Sequence, residues 1–392
     1  MRPNSRIIVS LAAAATLFAT QAVSQSPSRK PQTSEDATSL QMNAAHNGNI
    51  DFAAGFQAPL HQLWKRKFNG FASYAAIANQ VAYVVVQTAG NERLNLYALR
   101  LADGSTLWKQ QLQGNFWATP AYEAGKVFVS NRDGQLTAFD AGTGAQLWVR
   151  KLHTSSNSPP TPFDGHLYVK GFDSYFENAG VYSIDEATGK VKWKFPGLEA
   201  SHDAPAVGDG GVFTCDAYRL SPQTGEPVWH YANGCADPGA TAVFSGMQLY
   251  VRGMGQNTVL GANSGNPTGT FGGSMPAFFE LAGRGASGVT VAEEGLYCFS
   301  RKTGEVAWSF AGDGQLSGPP IVVNGNVIIG SWLGDLYMLS GVDGTVLWST
   351  TLENPIRALD ERNQEWPSSA LAAGDGVLIV PASNTVVAFA AK

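Results

Sequence analysis

Asp140-Ala141-Gly142-Thr143-Gly144-Ala145-Gln146-Leu147-Trp148 holds the unit that decides the fold: a small turn, a glycine, three residues and a tryptophan. The unit recurs as Asp103-Gly104 with Trp108, Thr188-Gly189 with Trp193, Thr224-Gly225 with Trp229, Thr303-Gly304 with Trp308 and Asp343-Gly344 with Trp348. Between Trp229 and Trp308 a degenerate copy, Ser264-Gly265, carries Gly269 where the tryptophan would stand. Successive turn glycines lie 40, 45, 36, 40, 39 and 40 residues apart, and Trp64 lies 44 residues before Trp108. Six of the ten tryptophans follow such a glycine by four residues, a regularity chance does not produce.

Each period also contains three strand-like runs. In the third repeat these are Pro160-Thr161-Pro162-Phe163, the stretch from His166 to Lys170, and that from Val181 to Asp185, ahead of the tryptophan-bearing run from Val191 to Phe195. Short β-branched and aromatic runs between Gly, Asn and Asp turns are strands. Four strands per 40 residues, repeated around a ring, describe propeller blades. A single four-stranded sheet cannot cover its own apolar faces, so blades must stack on their neighbours. Trp64, Trp108, Trp148, Trp193, Trp229, Trp308 and Trp348 are expected on outer strands as wedges between blades, each indole N–H with a partner. The count predicts an all-β, eight-bladed β-propeller. The outer strand around Trp64 completes the eighth blade beside the last run, from Thr385 to Ala390, and removes the open edges of the ring. Seven blades with a loose Trp64 strand are the alternative.

Of 392 residues, 44% are hydrophobic and 15% charged, which excludes disorder as the main state. The formal charge is −5 with no basic run past the amino terminus, so nucleic acid is not an expected partner. Arg2 and Arg6, the apolar run from Ile7 to Ala19 and Ala22-Val23-Ser24 describe a secretory signal peptide over residues 1–24. A flexible linker is expected over 25–40 and the propeller domain over 41–392. No later segment approaches 18 apolar residues, so the cleaved chain is expected in the periplasm or secreted, with no integral membrane segment. No cysteine lies near the cleavage site to accept lipid, which implies a soluble chain without a lipid anchor. Cys215, Cys235 and Cys298 allow one disulfide, with Cys215–Cys235 favoured by proximity, or three thiols.

Strand endings such as Tyr97-Ala98-Leu99 and Ala138-Phe139-Asp140, the Gly-x-x-x-Trp turns that follow them, and Met42-Asn43-Ala44-Ala45-His46-Asn47-Gly48 ahead of Trp64 resemble the quinoprotein-like, PQQ-repeat eight-bladed propeller family. The likeness covers about residues 41–390. Its scaffold branch, BamB-like, implies a binding role in outer-membrane assembly. Its dehydrogenase branch implies a quinone (PQQ) over calcium in the central funnel, and the chain has no adjacent cysteines of the kind common there. No cofactor is expected, PQQ with calcium being the alternative.

In this topology the loops from an outer strand to the next inner strand share one face with the loops between second and third strands, and loops of variable length carry binding residues. They bring Trp117, Tyr175, Phe176, His202, Asp203, Asp237, Arg284, Trp332, Arg357, Asp360, Glu361, Arg362 and Trp366 to one face. Aromatics beside arginines suit a protein or carbohydrate surface. The expected partner is an envelope protein or a cell-surface glycan. His202-Asp203 has the chemistry of an acid–base pair but no placed nucleophile. No nucleotide or hydrolase motif follows a strand. A binding scaffold is therefore the expected function and catalysis is not, a quinone-dependent dehydrogenase or a carbohydrate-active propeller being the alternatives.

Overall fold

In the computed structural model eight antiparallel sheets are built from the repeat. It describes residues 35–392 except 89–92, 116–117, 155, 173–178, 197–202, 235–240, 254, 282–284, 293–294 and 358–368. The first blade runs Gly70–Ala78, Val81–Thr88, Arg93–Arg100 and Thr106–Asn115 from inner to outer strand. Six more follow in chain order. Their inner and outer strands are Ala118–Glu123 and Gln146–Lys151, Thr161–Phe163 and Val191–Pro196, Ala206–Gly208 and Pro227–His230, Val243–Ser245 and Pro267–Phe271, Ala277–Leu281 and Val306–Phe310, and Leu316–Val323 and Val346–Thr351. The eighth blade joins both ends of the fold: Ala372–Gly374, Val377–Ala382 and Thr385–Ala391 are completed by Leu60–Lys67. Inner strands are largely buried, whereas most outer strands alternate, leaving Leu107, Leu147 and Val346 exposed. The only helix among the described residues is a single 3₁₀ turn, Leu40–Met42.

The tryptophan repeat sets how blades meet. A Cβ built on Gly104 would lie 2.7 Å from the Trp64 ring, one on Gly144 2.7 Å from Trp108, and one on Gly189 2.7 Å from Trp148. Gly225 faces Trp193, Gly265 faces Trp229 and Gly344 faces Trp308 in the same way. These glycines have φ near +70°, so the tight turn and the close approach of the ring both require a residue without a side chain. Each indole N–H then donates to the carbonyl three residues before its glycine: Trp64 to Leu101 at 2.6 Å, Trp108 to Ala141 at 2.9 Å, Trp308 to Gly341 at 3.0 Å. Apolar ring and polar edge are satisfied by one turn of the next blade.

At the seam between the fifth and sixth blades, where Gly269 replaces tryptophan, a different device operates. Arg301 reaches back to the fifth blade, its guanidinium donating to Ser245 O at 2.8 Å and Tyr250 Oη at 3.2 Å, and lies 5.3 Å from the Phe278 ring centroid.

The inner strands carry backbone donors toward the axis, where a partner is obligatory once water is excluded. The segment before the first blade supplies it by passing around the axis. Glu35 O accepts from Asp375 N at 2.7 Å, Ala37 exchanges both backbone bonds with Ile77, and Thr38 O accepts from Tyr122 N at 2.7 Å. Ala44 O then takes Val207 N at 2.7 Å, Ala45 O takes Phe244 N at 2.9 Å, Asn47 O takes Phe278 N at 2.9 Å and Gly48 O takes Val322 N at 2.7 Å. The third blade is reached by the side chain of His46, whose Nε2 lies 3.2 Å from Thr161 Oγ1. One segment of chain therefore touches all eight blades as a collar, its backbone taking seven of them in ring order and the His46 side chain reaching back to the third. Its contacts fall near the ends of inner strands that lead into second strands, so it closes the end opposite the long loops. Residues 35–40, expected as the end of a linker, are corrected by this: Ala37 and Leu40 are fully buried. The rest of the expected linker and the expected signal peptide lie outside the described residues.

Candidate functional site

Under the long-loop face, strand parity turns Lys170, in His166–Phe172, into the interior beside the fourth blade. Its Nζ donates to Asp203 Oδ1 at 3.0 Å and Asp216 Oδ2 at 2.6 Å and lies 3.9 Å from Cys215 Sγ. Asp203 Oδ2 also accepts from Cys215 N at 3.3 Å. Burial alone would lower the lysine's affinity for its proton. The charges and hydrogen bonds of the two carboxylates outweigh that and hold its pKa above the ordinary lysine value. The cluster pins the third blade to the fourth, and the Asp203 carboxylate, expected on the binding face, is fully buried in it. Cys215 is disulfide-bonded and Cys298 is a buried thiol; Cys235, the chain's remaining cysteine, lies outside the described residues.

Arg357 lies on the same face, between the seventh and eighth blades. Its guanidinium sits 4.3 Å from the ring centroid of Phe71, at the start of the first inner strand, and partial burial lowers its pKa. Phe71 in turn lines a cavity of about 480 Å³ with Lys67, Phe68, Asn69, Gly70 and Asn384. Beside it Lys65 Nζ pairs with Glu353 Oε2 at 2.6 Å, and Arg66 lies 5.0 Å from the Phe68 ring centroid. Cations and aromatic faces thus converge at the seam of the first and last blades. Trp332, in the turn after Asn326–Ser331, is 46% exposed and donates its backbone N–H to Gln315 O at 2.9 Å.

Of the expected face the structure therefore places Trp332 at the surface, Arg357 half-buried over Phe71 and Asp203 in the interior. Trp117, Tyr175, Phe176, His202, Asp237, Arg284, Asp360, Glu361, Arg362 and Trp366 lie outside the described residues. Lys170, Asp216, Lys67 and Phe71 were not anticipated. The signal for Lys170 was a lysine inside an otherwise apolar strand run, which demands an opposite charge nearby.

On the axis, Leu40 from the collar packs in one buried cluster with Tyr74, Ala204, Met275 and Ala370, which belong to the first, fourth, sixth and eighth blades. Blades that are not neighbours meet only at the axis, so side chains fill it there. Among the described residues no group of three or more His, Cys, Asp or Glu side chains is arranged to hold a metal ion. No helix among them is long and apolar enough to cross a membrane.

Comparison with known proteins agrees with this architecture. BamB of Burkholderia pseudomallei is 28% identical over 259 residues, 62% of this chain and 58% of that protein. BamB of Shewanella oneidensis is 25% identical over 304 residues, 74% and 70% of the two chains. The tetrathionate hydrolase of Acidithiobacillus ferrooxidans is 29% identical over 147 residues, 34% of this chain and 28% of that one. The chain thus spans less than two thirds of the Burkholderia protein and less than a third of the hydrolase. Among solved structures, BamB from Moraxella catarrhalis superposes with a TM-score of 0.65 at 18% identity, covering 86% of this chain and 98% of that one. A europium-containing methanol dehydrogenase gives 0.68 at 12% identity, covering 91% and 98%. Identities this low show the fold alone, shared by scaffold and enzyme. The sequence profile described as outer membrane protein assembly factor BamB matches residues 58–159, 92–249, 153–274 and 216–392, unbroken over more than half of the chain, and the chain belongs to that family.

Proposed function

We propose that this propeller is a docking scaffold of the cell envelope, presented in the periplasm after removal of residues 1–24, that holds a protein partner on its long-loop face in a BamB-like role. Membership of the family supports the envelope setting. The observation that carries the face is the convergence of Lys67, Phe68 and Phe71 around one open cavity at the closing seam, with Arg357 stacked on Phe71. Stacked guanidinium and aromatic groups are the side chains that anchor protein interfaces, and the lysine favours an acidic segment. The charged groups between the third and fourth blades, Lys170, Asp203 and Asp216, are committed to one another, Lys170 and Asp203 fully buried, which suits a rigid platform better than acid–base chemistry.

The test is in-cell crosslinking followed by capture of the tagged protein from envelope extracts. One variant changes Trp117, Trp332, Trp366 and Arg357 to alanine together; a second is Lys67→Glu. The expected result is an envelope protein recovered at least tenfold less with either variant while the melting curve is unchanged. Equal recovery would show that this face is not the docking surface. In parallel, titration with pyrroloquinoline quinone and calcium is expected to leave the absorbance spectrum additive; stoichiometric uptake would make the enzyme reading the better one.

A further inference from the structure

The seam between the fifth and sixth blades carries the same glycine turn as the six seams in which an indole rests on that glycine, but the chain supplies no indole there. Gly304 occupies the place taken elsewhere by Gly104, Gly144, Gly189, Gly225, Gly265 and Gly344. A Cβ built on any of those would lie 2.6–2.7 Å from the preceding blade's tryptophan, but one on Gly304 would meet only Thr270 O, at 3.9 Å. The counterparts are buried or half-buried under their rings, whereas Gly304 is exposed. Gly269, in the tryptophan position opposite Val259, has open space around it. Arg301, three residues before Gly304, holds the turn position whose carbonyl accepts the indole N–H at those six seams. Its side chain is directed away, to Ser245 and Tyr250.

Gly269 also sits in the middle of Pro267–Phe271, the outermost strand of its sheet, with four of its five residues exposed. The outer edge of such a strand presents backbone donors and acceptors to any extended chain laid alongside. An aromatic side chain on a neighbouring strand lies naturally across an edge glycine.

We propose that this seam is a receptor for a tryptophan side chain carried by an extended segment of a separate partner protein. The segment adds as a strand beside Pro267–Phe271, and its indole covers Gly269, rests on Gly304 and donates to the carbonyl of Arg301. The commitment to tryptophan rests on six seams of the same molecule that bind that ring on the same turn. The surface lies on the outer rim and is independent of the long-loop face, so either can fail without the other.

The probe is an acetylated and amidated peptide of alternating threonine and valine with one central tryptophan, compared with its alanine counterpart. Amide resonances of Gly269, Gly304 and Thr270 are followed in the full chain. The expected result is saturable shifts at these residues with the tryptophan peptide, at least tenfold tighter than with the alanine peptide. Gly269→Trp fills the slot from within and is expected to abolish the preference. If that variant does not fold, Gly269→Ile, which a strand tolerates, blocks the slot instead. Equal binding of the two peptides, undiminished binding by a folded blocking variant, or shifts confined to other residues would overturn the proposal. So would shifts at Gly304 that grow with protein concentration alone, which would make a second copy of the chain the occupant.

Discussion

Trp64 stands opposite Ala388 in an antiparallel ladder, so residues 324 positions apart share one blade. The same indole reaches across the seam to Leu101 O and packs on Gly104, which ties the closing blade to the first. Ring closure and blade docking therefore depend on one side chain. Trp64→Ala is expected to cost about 3–5 kcal/mol, as large aromatic truncations in cores do, read as a fall in the urea midpoint. Leu107→Ala, an exposed position on the first blade's outer strand, is expected to stay within about 0.5 kcal/mol. If the two variants unfold alike, the closing blade does not hold the ring together.

Lys170 offers a second measurement, because its ammonium is the cation that the buried carboxylates of Asp203 and Asp216 share. Removing one member of a buried ionic cluster leaves the others charged, desolvated and unmatched. Lys170→Met is expected to destabilise the protein by about 3–5 kcal/mol. Adding Asp203→Asn and Asp216→Asn is expected to recover most of that loss, since no uncompensated charge then remains. A single variant as stable as wild type, or a triple variant no better than the single, would mean that the three groups are not one network.

The repeat was readable because each blade uses side chains in a fixed local order. A glycine with positive φ and a tryptophan four residues later leave a periodic mark, and even the defect at Gly269 is visible as a missing letter. The collar left no such mark. Its carbonyls bond backbone N–H groups of the blades, and backbone pairing is indifferent to whether Ala44, Ala45 or Gly48 supplies the oxygen. A polar, small-residue stretch thus reads as linker although Ala37 and Leu40 are fully buried. Asp203 was singled out for its neighbour in sequence, His202, while its structural partner is Lys170, 33 residues earlier on another blade. Arg357 reads as a loop residue, and only folding brings it over Phe71.

His46 gives the collar a pH signature. Its Nδ1 lies 2.7 Å from Leu40 O, and its Nε2 lies 3.2 Å from both Thr161 Oγ1 and Pro205 O, all in the interior. Burial lowers its pKa below the ordinary 6.5 despite those carbonyls and the nearby Asp203 carboxylate, which pull the other way. The unfolded chain therefore takes up the proton first as pH falls. The stability this imidazole contributes is complete above about pH 6.5 and drains away as pH drops toward the folded-state pKa. Between pH 7.5 and pH 5 that contribution is expected to fall. His46→Asn keeps a residue that tolerates the left-handed backbone here, φ +55°, and removes the titrating group. The other five histidines and all carboxylates are common to both proteins, so the difference between their urea midpoints at the two pH values isolates His46. Wild type is expected to lose more stability than the variant on acidification; parallel losses would show that folding does not lower the pKa of the collar histidine.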